Sequence, residues 1–250
     1  MQQLMGSMKT LTIQVPNPPK GKVIIHCLRH AQVGFPHIPH ALPLARGINR
    51  KKAQHNITSI PRPQRLAILD PPLTSQGRLQ AKALTKTLGA SPNITHILCS
   101  PLKRTVQTAL IGLSPLFSTS RKLIAYPDVR EWGSSPCSTG SKMHDLLGKM
   151  KGNVENVDVD LVEKDWEVNR EDKGSLARRE RVKRVREDLW KLGQETLKNG
   201  GKWKGKDVGK SPGSNQDVEI VVVSHAAFLG TLEGTDGLRA LLPPSQFFYH

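Results

Sequence analysis

Two stretches of the chain are apolar almost without a break, Val23–Leu28 and Val218–Val223, and Thr95–Cys99 carries a further strand. Runs of that length and character predict strands buried on both faces, as in a parallel sheet. Lys122–Tyr126 is a shorter candidate. Between the strands the apolar spacing changes to the helical period. Leu79, Ala83, Leu84 and Leu88 form one stripe, with Thr74 as the N-cap and Gly89 placed to end the helix. Ser100 is read as the cap of a second helix, with Pro101 in its first turn. Leu176–Leu197 reads as a long, charged helix that buries Val182, Val185, Leu189 and either Leu192 or Trp190. Strands alternating with helices predict an α/β fold.

The remaining segments carry weaker patterns. Residues 1–21 are polar with Pro16, Pro18 and Pro19 and read as a flexible arm ahead of a single domain over 22–250. Residues 143–172 mix short helical pieces with polar turns, and Asn199–Gln216 is rich in Gly and Lys and reads as a flexible loop.

Composition narrows the function classes. The chain of 250 residues can bury a sizeable core, and its 4% aromatic content argues against a base-stacking surface. The net charge of +16 attracts anions, but much of the excess lies in residues 164–210, away from the motifs below. It therefore reads as a solvated basic face and not as a specific nucleic-acid site. Three cysteines without metal-type spacing point to reduced thiols, and no apolar run has the length of a membrane span or the form of a signal peptide. These features predict a cytosolic protein, with the nucleus as the other compartment open to it.

The candidate chemistry sits at strand ends. Arg29-His30 follows the first strand and Ser224-His225 follows the last. Imidazole can attack phosphorus, and guanidinium can grip phosphate oxygens in a bidentate fork. Arg104 falls early in the second helix, where the backbone amides and dipole favour an anion. Glu131, in Arg130-Glu131-Trp132, is a carboxyl group beside an apolar ring, a setting that raises proton affinity. No metal-ligand cluster, dinucleotide fingerprint or P-loop accompanies them, so no metal or other cofactor is expected.

Residues 33–52 interrupt this pattern with three prolines, no periodicity and a basic tail. They form either a functional lid or an insertion that the gene model has retained from a short intron. The second reading is preferred, because Ala-Gln occurs at 31–32 and again at 53–54. A Val codon begins with GT and a Lys codon can end in AG, as the ends of an intron do. The mature transcript decides between them: an mRNA that keeps these codons removes the intron reading.

Taken in order, the motifs resemble the histidine phosphatase superfamily, whose fold is that of phosphoglycerate mutase, and within it the fungal branch of small phosphomutase-like phosphatases. The matching stretches are Leu28-Arg29-His30-Ala31-Gln32, Asp70-Pro71-Pro72-Leu73-Thr74, Ser100 through Ala109, Arg130-Glu131-Trp132, Pro136 through Gly140, and Val223-Ser224-His225. The resemblance implies a three-layer α/β fold with a mostly parallel central sheet and helices on both faces. It implies that His30 is the nucleophile, that Arg29 and Arg104 hold the phosphoryl oxygens, that His225 donates a further bond to the phosphate, and that Glu131 is the proton donor. It adds Asn56 as a phosphate ligand, since the family often carries an Asn six residues after the nucleophile. Deleting 33–52 restores that spacing here. After Leu229 the chain departs from the family's usual final helix and strand, and reads as cut short. The expected activity is metal-independent hydrolysis of a small phosphorylated metabolite, with a phosphomutase, or an impaired relative acting as a binding protein, as the alternatives.

Overall fold

The structure is a computed structural model that describes residues 9–13, 21–33, 67–86, 94–117, 121–148, 150, 154–168, 174–198, 200–209, 217–234 and 247–249. Its strands are β1 (Lys9–Ile13), β2 (Val23–Arg29), β3 (Ile94–Cys99), β4 (Leu123–Ala125), β5 (Val157–Asp158), β6 (Lys202–Trp203), β7 (Lys206–Asp207), β8 (Val218–Ser224) and β9 (Phe247–Tyr249). Its α-helices are α1 (Ser75–Leu84), α2 (Lys103–Gly112), α3 (Met143–Gly148), α4 (Ser175–Leu197) and α5 (Ala226–Glu233).

One sheet runs in the order β5-β4-β3-β8-β2-β1-β9. The pairings from β5 to β2 are parallel, and β1 pairs antiparallel with both β2 and β9. Helices cover both faces, and β8 shows why. Its Val218, Ile220 and Val222 pack with Val185 and Leu189 of α4 and Phe228 of α5. Its Val221 and Val223 pack on the other side with Val106 and Ala109 of α2 and Leu146 of α3. Successive side chains of a strand point to opposite faces, so a continuous apolar run serves two helical layers at once. The architecture is the expected three-layer α/β fold with a mostly parallel sheet.

Several segments differ from the sequence expectation. Residues 9–13 belong to a strand and not to a loose arm: Thr10-Leu11-Thr12-Ile13 alternates polar and apolar residues with the strand period, and β1 pairs with β2 from Lys9↔Cys27 to Ile13↔Val23. Phe247–Tyr249, in a tail read as lacking a final strand, pairs with β1 as β9. Part of the expected flexible loop is a hairpin of β6 and β7, whose Trp203 is buried. Leu192 is fully buried on α4, while Trp190 packs at the margin of the core.

In α1 the Thr74 hydroxyl accepts from the Gly77 amide at 2.8 Å, as an N-cap should. Leu79 is 62% exposed, and the buried positions are Gly77 and Ala81. A Cβ at residue 77 would stand 2.0 Å from the Gln32 carbonyl oxygen, so only glycine lets α1 press against the chain that follows His30. Residues 34–52, and with them the choice between lid and insertion, lie outside the described residues, as do Leu88 and Gly89.

Candidate active site

β2 and β8 lie side by side in parallel register, with Arg29 opposite Ser224, so His30 and His225 leave the same end of the sheet together. The His30 amide donates to the Ser224 carbonyl at 3.0 Å. Both rings are buried, with centroids 5.2 Å apart.

The hydrogen bonds fix a tautomer for each ring. Nδ1 of His30 lies 2.8 Å from the carbonyl oxygen of Ala31. A carbonyl only accepts, so Nδ1 carries the proton and the ring lone pair is on Nε2. In His225 the order is reversed. Arg104 Nη2 donates to Nδ1 at 3.1 Å, which leaves Nε2–H to donate to Ser100 Oγ at 2.9 Å. Burial, followed by the Arg104 charge, holds both imidazoles well below their ordinary proton affinity. Both are neutral at physiological pH. Donation from His225 to a bound phosphate requires Nε2–H to leave Ser100.

Arg104 is buried as the two histidines are. Its Nη1 donates to the Cys137 carbonyl at 2.8 Å, so the guanidinium is held between the 134–141 loop and His225. Ser100 does not cap α2 as expected: the helix begins at Lys103, after Leu102 as the N-cap. The missing cap comes from outside the helix. Asp70 Oδ1 accepts from the Lys103 amide at 2.8 Å, and Oδ2 accepts from the Ser141 amide at 3.1 Å. Asp70 is fully buried and has φ of 41°, in the left-handed region where a residue with a Cβ is uncommon. Burial raises its proton affinity, against the pull of those two amides and of Arg104. One carboxyl group thus ties together the start of α2, the 134–141 loop and the segment leading to α1.

Glu131 follows the 3-10 turn Pro127–Val129 beyond β4. Burial raises its proton affinity, while the Trp132 amide, at 2.9 Å from Oε1, and the charges of Arg104, Arg29 and Arg181 lower it. Burial also draws the Arg29 and Arg104 proton affinities down, with Glu131 opposing it in both. Of the residues singled out in the sequence, His30, His225, Arg29, Arg104 and Glu131 are brought into one electrostatic group. Asn56 lies outside the described residues.

Other residues of the site had no chemical role assigned in the sequence. Thr108, one turn after Arg104, accepts the Ala31 amide at 3.0 Å and donates to the Arg104 carbonyl at 2.7 Å, joining α2 to the chain just after His30. Asp70, Ser100 and Thr108 lie inside the quoted motifs, which is the signal that could have marked them. Arg181 of α4 lies outside every motif, in a run of charges. It is buried, and its Nη2 donates to the Arg130 carbonyl at 3.2 Å. Among the described residues no group of three or more His, Cys, Asp or Glu is placed to hold a metal ion, and no helix is long and apolar enough to cross a membrane.

The model of the histidine phosphatase superfamily (branch 1) matches residues 64–234, and the chain belongs to that superfamily. The matched stretch carries Arg104, Glu131 and His225 and begins after His30. Among solved structures the chain is similar to an ecdysone phosphate phosphatase from Bombix mori in complex with tungstate, at 22% identity and TM-score 0.49, covering 89% of this chain and 80% of that one. It is also similar to a mycobacterial glucosyl-3-phosphoglycerate phosphatase, at 16% identity and TM-score 0.43, covering 92% and 79%. The comparison with curated proteins gives no match.

Proposed function

We propose that this chain is a metal-independent phosphomonoester hydrolase that works through a phosphohistidine at His30. The observation that carries the reading is the His30–Ala31 hydrogen bond, which leaves the ring lone pair on Nε2 beside two arginines. A neutral imidazole in that tautomer is a nucleophile that needs no base. In the first step Nε2 attacks phosphorus, the P–O bond to the leaving group breaks, and the departing oxygen takes the proton of Glu131. In the second step water attacks the phosphohistidine and gives a proton to the Glu131 carboxylate. The P–N bond breaks, and inorganic phosphate and neutral His30 are released. Arg29 and Arg104 hold the phosphoryl oxygens through both steps, with donors already oriented toward the charge that develops. We place Asn56 as a further phosphate ligand and His225 as the group that orients Arg104 and faces the phosphate.

The substrate we propose is a small phosphorylated metabolite, and the compartment the cytosol. Within the superfamily we assign the chain to the fungal branch of small phosphomutase-like phosphatases. The direct test is hydrolysis of p-nitrophenyl phosphate in the presence of a chelator. The forms compared are the full chain, a form lacking 33–52, and His30→Ala of each. Turnover that disappears with His30 supports the proposal. Folded forms that do not turn over overturn it in favour of a binding protein. A trapped phosphohistidine that hydrolyses slowly but passes its phosphate to an acceptor makes the protein a mutase instead.

A further inference from the structure

Arg181 is the one cation of α4 that the protein buries: it is 1% exposed, while Arg178, Arg179, Lys183, Arg184 and Lys191 of the same helix are exposed and Arg186 is partly so. Burying a guanidinium is costly unless several groups compensate it. Here its carbon lies 4.0 Å from the centre of the Trp132 ring and 5.4 Å from that of Phe228, and Nη2 donates to the Arg130 carbonyl at 3.2 Å. Trp132 and Phe228 in turn touch each other, with centroids 5.1 Å apart. The contacts with Arg130 and Trp132 fall on the residues immediately before and after Glu131. A planar cation stacked on an indole and bonded to a carbonyl fixes both ends of that tripeptide.

We infer that Arg181 is a positioning residue that holds Glu131 in place for proton transfer to the leaving group, acting through the Arg130 carbonyl and the Trp132 indole. This rests on the proposed role of Glu131. Three cations act on that carboxyl: Arg29 from β2, Arg104 from α2 and Arg181 from α4. A phosphate held by Arg29 and Arg104 offsets their charge. Arg181 is engaged by protein groups and keeps its charge, so it is the cation that persists beside Glu131 when substrate is bound. Its second effect follows. With phosphate in place Glu131 keeps a proton for the leaving oxygen, and Arg181 limits how tightly, so that the carboxylate can form and later accept the proton of water.

The experiment compares two substrates on one protein, in whichever form of the chain turns over. p-Nitrophenolate leaves without a proton, whereas the alkoxide of an alkyl phosphate needs one. Arg181→Met keeps the apolar stem and removes the charge. It should lower kcat/KM for the alkyl phosphate about 10²-fold and for p-nitrophenyl phosphate less than about tenfold, the selectivity of a disturbed general acid. The alkaline limb of the alkyl phosphate profile should move to higher pH, since Glu131 then holds its proton longer. Arg181→Lys keeps the charge without the stacking plane, and should restore the limb but only part of the rate. An equal loss on both substrates with an unmoved limb would mean that Arg181 only supports the fold, and overturns the inference. Should Arg181→Met not fold, Trp132→Leu reads the same ratio, and an unchanged ratio overturns the inference as well. Glu131→Gln separates the two proposals. If it shows the leaving-group dependence and the Arg181 variants do not, the inference alone fails. If Glu131→Gln shows none, the assignment of Glu131 fails and the inference with it.

Discussion

The ends of β2 and β8 carry the same residue in the same place, yet their two imidazoles are set for different work. His30 is bonded through Nδ1 to the backbone carbonyl of the next residue, Ala31. His225 is bonded to side chains on both nitrogens, Arg104 on one and Ser100 on the other. The first arrangement puts the ring lone pair on Nε2. The second spends both nitrogens on holding partners in place. A strand end delivers a side chain to the crevice, and the hydrogen bonds of the turn after it decide what the side chain does there.

The strongest way to break this contrast is to remove each ring. His30→Ala should lower turnover about 10⁴-fold or more and abolish the acid-labile phosphoenzyme, as loss of a nucleophile does. His225→Ala should cost about 10²–10³-fold, the range for loss of an oriented donor array, and should leave a phosphoenzyme that still forms slowly. Equal losses, or a trapped phosphate on the His225 side chain, would reverse the assignment. Ser100→Ala should cost less, about five- to tenfold, the worth of one neutral hydrogen bond. Nitrogen-15 spectra of the rings should then show only the His225 Nε2 signal moving, while His225 keeps Nε2–H through the Arg104 donation to Nδ1 and His30 keeps Nδ1–H. Neither active-site ring should titrate in the ordinary imidazole range, and an ordinary titration of His30 near 6.5 would contradict its burial beside Arg104.

A third histidine gives the smallest and cleanest comparison. His96 on β3 is held neutral far from the strand ends, and burial pulls its proton affinity down to about 4. Between pH 6.5 and about 4 the unfolded chain binds a proton there that the folded chain does not, so stability falls as the pH falls. Replacing it by Gln should make the slope of unfolding free energy against pH shallower in that window, by up to about 1.4 kcal/mol per pH unit for one proton. Urea unfolding at a series of pH values measures it, and an unchanged slope would assign the acid sensitivity to the two active-site rings.

The parts of this fold that are legible in the sequence are those with a period or a cap. The nearly continuous apolar runs of β2 and β8 and the Thr74 cap each have one physical explanation. The starts of helices held by distant groups are not legible in that way. Ser100-Pro101 looks like a helix start, but the cap of α2 is a carboxylate of Asp70, brought there by a turn with an unusual backbone angle. Arg181 is hidden for a similar reason. On a helix of exposed cations, the one that is buried is chosen by Trp132 and Phe228, which are remote in sequence. The residues proposed as nucleophile, phosphate-holding arginines and acid could be picked out from their order along the chain, but the tautomers could not, because they depend on neighbours that only the fold supplies.

The antiparallel ribbon of β1 and β9 has a consequence for handling the protein. β1 covers the outer edge of β2, the strand that delivers His30. Proteolysis that removed residues up to Ile13 would turn β2 into an open edge, its amides and carbonyls ready to pair with another chain. Purified preparations that lose this short ribbon should self-associate through the strand that leads to His30, so an uncleaved β1 is a condition for monodisperse material.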